Sequence, residues 1–343
     1  MSLKAFRRAQ ISNVEGTPGT AEAAVEVLPG TILYDDGVTI HRPEEDRNNL
    51  AANMADDVIA GREAHLTWAF DLNFRHICWA LAMSICGNIT PTQPDAMYEP
   101  NAYLWTFTPA LTADGNTPDQ TDGIDTFTIE CGDASRAYEV EFAFGTRIEI
   151  SGAPNEVVKV SVEITGRQVT SGITFTAALT AQSVQKAPFN LSKVYIDTSW
   201  ANLGTTQVTG MVKGITWALD TMFTASYGPD GNLYFTSLDE DRKAPEITLV
   251  LKRNSDALTE ETAWENRTTR FIRWEILGTT ELDGGESNPP YLHLDTACRY
   301  FEWPRWGDEN GRTTIEAKAE GVYDSTGSAM FEAAVKTALD AYP

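Results

Sequence analysis

Apolar and polar residues alternate with a period of two along most of the chain, which predicts strands. Leu66, Trp68, Phe70 and Leu72 fall on one strand face, with Thr67, Ala69 and Asp71 on the other. The pattern then changes to helical spacing, with Phe74, Ile77, Cys78, Leu81 and Ile85 in a stripe. Trp79, Ala82 and Met83 make this stretch apolar nearly all round, which predicts a buried helix over 73–87, capped by Asn73 and stopped by Gly87. Strands are predicted over 103–108, 126–131 and 138–144, the last with Tyr138, Val140, Phe142 and Phe144 inward and Glu139 and Glu141 outward. Stretches 146–151 and 157–165 predict a hairpin around Gly152-Ala-Pro-Asn155. Residues 1–20 lack periodicity and read as an extended arm, and 112–125 as an exposed polar insertion.

A second β-rich region, 186–343, begins with strands near Val194 and over 208–219, then a Pro229-Asp-Gly231 turn. Further strands are predicted over 247–251, 270–277, 291–296 and 313–319, with a short helix over 259–267. Phe331, Ala334, Val335, Ala338, Leu339 and Tyr342 have helical spacing and predict a terminal helix. The strand–helix of 66–86 and that of 247–267 lie about 180 residues apart, so the second region is either a duplicate of 21–185 or an added β domain.

With 343 residues the chain is two domains or one large all-β unit. Its net charge of −23 argues against a nucleic-acid-binding surface and against attachment to anionic lipid. The longest apolar run, 77–83, is far below what a bilayer requires, and no apolar stretch follows the basic N-terminal residues, so folding is expected in a cytosol. Cys78, Cys86, Cys131 and Cys298 have no metal-type spacing and are expected to be reduced and buried, and without a secretory signal the three glycosylation sequons carry no weight.

The search for chemistry finds little. His41, His65, His76 and His293 are scattered, with no zinc-type spacing. No phosphate-binding glycine loop or nucleophile elbow is present. The stretch Asp114-Gly-Asn-Thr-Pro-Asp119 lacks the glycine and bidentate glutamate of a calcium loop. Acidic clusters at Glu44-Glu45-Asp46, Asp56-Asp57 and Asp239-Glu240-Asp241 are what so acidic a chain contains by chance. The aromatic segment Tyr300-Phe-Glu-Trp-Pro-Arg-Trp306 reads as core or interface, with sugar stacking as the alternative. No catalytic residue, cofactor or metal is expected.

The opening Lys4-Ala-Phe-Arg-Arg-Ala-Gln-Ile11, running into Glu15-Gly-Thr-Pro-Gly-Thr-Ala21, resembles the N-terminal arm of siphophage tail tube proteins. The strand–helix from Leu66 to Gly87 resembles that family's strand and single helix. Phe127-Thr-Ile-Glu-Cys131, Gly145-Thr-Arg-Ile-Glu-Ile-Ser-Gly152, and Val157 to Arg167 resemble its sheet hairpins. The resemblance covers most of residues 4–170; the later half fits by composition and rhythm alone.

The resemblance implies a mainly β fold, a tail-tube-type β-sandwich or partly closed barrel with a flanking helix. It implies hexameric rings, or rings of three duplicated chains, stacked into the tube of a virion assembled in the bacterial cytoplasm. Implied partners are further copies of the chain, a tape measure protein, and tail terminator and baseplate proteins, with DNA as transiting cargo. In the arm, Lys4, Arg7 and Arg8 are the expected assembly cations, and Phe6 and Ile11 the apolar anchors. Glu139, Glu141, Glu149 and Glu163, against Arg147 and Lys159, form the expected lumen face, negative so that phosphates are not captured. Rival readings are a carbohydrate-binding or glycan-hydrolysing β protein and another virion component, a decoration protein or baseplate hub.

Overall fold

The computed structural model describes residues 7–42, 57–87, 89–109, 123–133, 135–210, 212–241, 243–282, 289–309 and 312–342. In chain order the first half contains β1 (Arg8–Val14), β2 (Ala24–Val27), β3 (Thr31–His41), β4 (Val58–Asp71), α1 (Ile77–Ala82), β5 (Tyr103–Phe107), β6 (Phe127–Gly132), β7 (Ala137–Gly152), β8 (Lys159–Gly166) and β9 (Val169–Ile173). The second contains β10 (Lys193–Asp197), β11 (Val212–Asp220), β12 (Phe223–Ser226), β13 (Ser237–Glu240), β14 (Pro245–Lys252), α2 (Ser255–Glu265), β15 (Arg270–Leu277), β16 (Tyr291–Glu309), β17 (Arg312–Gly321) and β18 (Phe331–Thr337). The fold is mainly β and antiparallel, sandwich-like, with a large sheet that does not close into a barrel.

Two long strands each serve two layers. The first part of β7 pairs with β6 and β9, and its last part with β8 and β11. The first part of β16 pairs with β15 and β18, and its last part with β17. One layer is therefore the continuous run β3-β4-β8-β7-β11-β14-β17-β16. Against it lie β2-β1-β6-β7-β9 on one side of the molecule and β10-β15-β16-β18-β5 on the other. The layers enclose one core, in which Trp68, Ile148, Trp217 and Leu249 of the long run meet Ile11, Ile129, Trp274 and Phe331.

The change of layer in β7 is made by bulges, which bend a strand by adding a residue on one side of a pair. Ile129 faces Val140 while Phe127 faces Ala143, so β7 carries an extra residue, and Phe142 takes a positive φ of 54°. A second bulge lies between Gly145 and Arg147, opposite Ile164 and Glu163. The stretches expected as separate strands over 138–144 and 146–151 are thus one bulged strand.

The halves repeat one pairing scheme. β1-β6-β7-β9 is matched by β10-β15-β16-β18, and β3-β4-β8-β7 by β11-β14-β17-β16. The bulge between Gly145 and Arg147 recurs between Tyr300 and Glu302, opposite Ala319 and Lys318. β4 leads to α1 through Asn73, whose side chain accepts from His76 N at 2.8 Å. β14 leads to α2 through Asn254, whose side chain accepts from Ala257 N at 2.9 Å.

Three expectations are corrected. Residues 8–14 of the expected arm form β1, paired on both sides by β2 and β6, with Ile11 fully buried. The helix expected over 73–87 is helical only over Ile77–Ala82, flanked by turns, and every residue of it is buried. Gly87 is not its left-handed stop; a Cβ there would collide with Asp125. The expected terminal helix is β18, inserted between β16 and β5. Two strand edges needing a partner outweigh the helix preference of its alanines, and Phe331, Ala333 and Val335 enter the core as alternating residues. The insertion expected over 112–125 lies largely outside the described residues.

Ile11→Ala should destabilise the folded chain by about 2–5 kcal/mol in urea unfolding, because it empties a fully buried site between two paired strands. An N-terminal segment acting only as an arm would show no change.

Candidate assembly interface

The halves meet where β11 pairs with the end of β7, from Ile215 opposite Gly152 to Asp220 opposite Arg147. The hairpin continued by β12 and β13 reaches back across the first half. Phe235 packs against Phe142 and Phe144, with ring centroids at 5.1 and 5.8 Å, in a small core with Phe223, Leu238 and Ile124. Arg62 N donates to Leu233 O at 2.7 Å, and the Tyr227 hydroxyl to Glu63 at 2.6 Å. Arg167 lies over the rings of Phe142 and Tyr234, 5.0 Å from each centroid.

The buried carboxylate of Glu15 holds this corner. It accepts from Phe142 N at 2.9 Å, the hydroxyls of Thr126 and Thr128 at 2.9 and 2.8 Å, and Gly19 N at 2.8 Å. The left-handed residue that aims Phe142 at the β12–β13 hairpin is therefore fixed by a charge-assisted bond. Sequence periodicity carries no signal for this role, because Glu15 lies in a connection.

The long run ends in two strands that, among the described residues, each have a partner on one side only: β3, paired with β4, and the last part of β16, paired with β17. In the repeated scheme β3 corresponds to β11, and the end of β16 to the end of β7. These are the two strands already joined inside the chain. Exposed apolar residues concentrate on the β3–β4 hairpin: Leu33 is 60% exposed, Val58 60% and Ile40 48%. Around β11–β13, where the halves join, Trp217, Phe223 and Leu238 are buried.

The face of the long run away from the core carries polar rows. Glu149, Glu163, Asp220, Glu246, Glu302, Glu316 and Glu320 outnumber Arg147, Lys159, Lys252 and Lys318. Of the expected lumen residues, Glu149 and Glu163 lie here with Arg147 and Lys159, and Arg147 pairs with Asp220 and Glu149. Glu139 and Glu141 lie beyond the bulge, beside β6 and β9 and half-buried. Burial pushes both carboxyls up, helped at Glu139 by Glu130 and Glu141, and at Glu141 by Glu15 against the opposing charge of Arg167.

Arg8 donates to Leu179 O at 2.9 Å, tying the segment after β9 across β1, where Glu130 also binds Thr176. Arg7 is exposed, while Lys4 and Phe6 lie outside the described residues. Among the described residues no group of three or more His, Cys, Asp or Glu side chains is placed to hold a metal. The four cysteines are buried and none is in a disulfide, and burial raises Cys131 to about 11. Glu44-Glu45-Asp46, Asp56 and the Asp114–Asp119 stretch lie outside the described residues. His76 is buried beside Glu26, 3.3 Å away. Burial alone would raise the Glu26 carboxyl, but hydrogen bonds from His76 and Arg75, and their charges, hold it below its ordinary value. In the aromatic segment, Tyr300 and Trp303 are buried, Tyr300 donating to Glu260 of α2 at 3.1 Å, so neither ring is free to stack on a sugar.

A separate ionic ladder crosses the outer face of β10, β15 and β16. Arg273 donates twice to Asp295, at 2.7 and 2.6 Å, and the Tyr195 hydroxyl donates to Glu275 at 2.8 Å. His293, against the effect of burial and with Tyr195 and Lys193, holds Glu275 down at about 2.

No protein-family model matches the chain, and no curated protein does.

Because Glu275 has a folded pKa below its ordinary 4.5, its stabilising effect is complete above pH 4.5 and disappears as pH falls toward about 2. Glu275→Gln should therefore lower the melting temperature at neutral pH and reduce its fall between pH 4.5 and 2. An unchanged acid profile would contradict the ladder.

Proposed function

We propose that the chain is the tail tube subunit of a tailed bacteriophage, assembling head to tail into rings that stack around a channel for DNA. The observation that carries this reading is the pair of free edges. The chain joins the end of β7 to β11 once within itself and, among the described residues, leaves one strand of each corresponding kind with a bare outer edge. A head-to-tail contact of that type closes into a ring when the rotation from copy to copy allows it, and it supplies both exposed edges with the hydrogen bonds they lack. Three chains, each contributing two similar halves, give a ring of six units.

In such a ring the bulkier outer layers and helices occupy the larger circumference, so the bare polar face of the long run lines the channel. Its excess of carboxylates suits a passage that phosphate must not adhere to, since each cationic contact adds salt-dependent affinity. During assembly the channel would hold a tape measure protein, and terminator and baseplate proteins would meet the tube ends. The tube would be built in the host cytoplasm and function in the virion. No step of this role needs catalysis or a cofactor.

The correspondence of β3 with β11, and of the end of β16 with the end of β7, sets Leu33 opposite Gly307 of the next copy. Leu33→Cys combined with Gly307→Cys should give disulfide-linked oligomers on oxidation, over a low background because the native cysteines are buried. Each single variant should remain unlinked. A double variant that stays monomeric on a non-reducing gel would contradict head-to-tail pairing.

A further inference from the structure

We propose that the outer part of the β3–β4 hairpin clamps onto the next copy, seating Ile40 and Ile59 beside Phe301 and Tyr323 of that copy. This rests on the head-to-tail reading above and extends it from backbone pairing to a side-chain interface. Among the described strands, β4 from Val58 to Glu63 pairs with β3 alone, because its pairing with β8 ends at Ala64. The hairpin therefore projects beyond the long run. Its base is fixed by the bonds that Arg62 and Glu63 make to Leu233 and Tyr227, and Arg42 donates to Asp57 at 3.2 Å further out. On it Ile40 and Ile59 are cross-strand partners, 48% and 36% exposed. Two apolar side chains held together in solvent on an ordered hairpin suit a protein surface.

The internal junction identifies that surface as a second copy. Glu163 and Lys318 face the bulges of β7 and β16. On their other sides they face Thr67 and Thr248, which in turn face Leu33 and Thr216. Leu33 thus corresponds to Thr216 and, in step with it, Val38 to Thr221. Thr221 N donates at 3.0 Å to the carbonyl of Thr146, the extra residue of the β7 bulge. The extra residue of the β16 bulge is Phe301, so Val38 of one copy meets Phe301 of the next. Just beyond Thr221, Phe223 is buried in the small core with Phe142 and Phe144. Just beyond Val38, at the same spacing, Ile40 is exposed. On the receiving side, Val322 N donates to Ala297 O at 2.8 Å as Arg167 N donates to Glu141 O at 2.9 Å. Val322 therefore takes the place of Arg167, which lies over Tyr234 of the internal hairpin. Beside Val322, Tyr323 is 56% exposed, and Phe301 is 44% exposed. The junction within the chain buries apolar residues from both sides, and the sites that correspond to it on the two ends of the chain carry apolar residues still open to water. Assembly removes their surface from water.

The test compares Ile40→Ser/Ile59→Ser, Phe301→Ser/Tyr323→Ser and the variant carrying all four changes, each in the full chain. Each pair should cut the assembled fraction in sedimentation about tenfold. The fourfold variant should lose little more than either pair, because both pairs act on one contact. Melting temperatures of the dissociated chains should stay close to wild type, since all four side chains are exposed there. Wild-type assembly in either pair, losses that multiply in the fourfold variant, or a lowered melting temperature would overturn the clamp. Oxidation of the chain carrying Leu33→Cys and Gly307→Cys reads strand pairing separately. Linkage there, with normal assembly of the serine pairs, overturns the clamp alone, and absence of linkage overturns the head-to-tail reading with it.

Discussion

Backbone hydrogen bonding at strand edges is the constraint on which the rest depends. A strand with one bare edge offers a row of donors and acceptors to any strand that fits. This chain satisfies one such edge internally by laying β11 along the end of β7. That pairing fuses two similar sets of strands into one long run and leaves β3 and the end of β16 at the limits of that run. Symmetry of construction thus produces asymmetry of surface, two different edges made to the pattern of an existing match.

The match is directional because β7 and β16 leave one layer and enter another through bulges at corresponding places. Around the bulge at Phe142 the backbone is held by the Glu15 carboxylate, and the aromatic side chain is turned toward the β12–β13 hairpin. Gly145 allows close approach of the turn after α1, its N–H bonding Met83 O at 2.8 Å. Strain in β7 is therefore coupled to contact across the junction, so packing and pairing reinforce one another.

Much of this was legible in the sequence. Alternation identified most central strands, and Asn73 marked one strand-to-helix transition, while the second helix, expected over 259–267, starts earlier, at Ser255, behind Asn254. Three features were not legible, each for a physical reason. β1 is short and mixed in polarity because Gln10 and Ser12 are buried by a crossing segment and by hydrogen bonds rather than by apolar packing. β18 has alanines at helical spacing, and only the presence of β5 and β16 on either side makes it a strand. The positions of Glu139 and Glu141 depended on a bulge that no periodicity reveals, so two of the four expected lumen carboxylates lie apart from Glu149 and Glu163.

The central claim is that the long run continues from one copy to the next through its two end strands. Electron microscopy of the concentrated protein, taken to a resolution at which strands separate, tests it most directly. The account predicts closed rings, three chains in each, stacked into tubes of uniform width, with β3 of every chain beside the end of β16 of its neighbour. Monodisperse single chains at high concentration, or an assembly in which both edges remain unpaired, would contradict it.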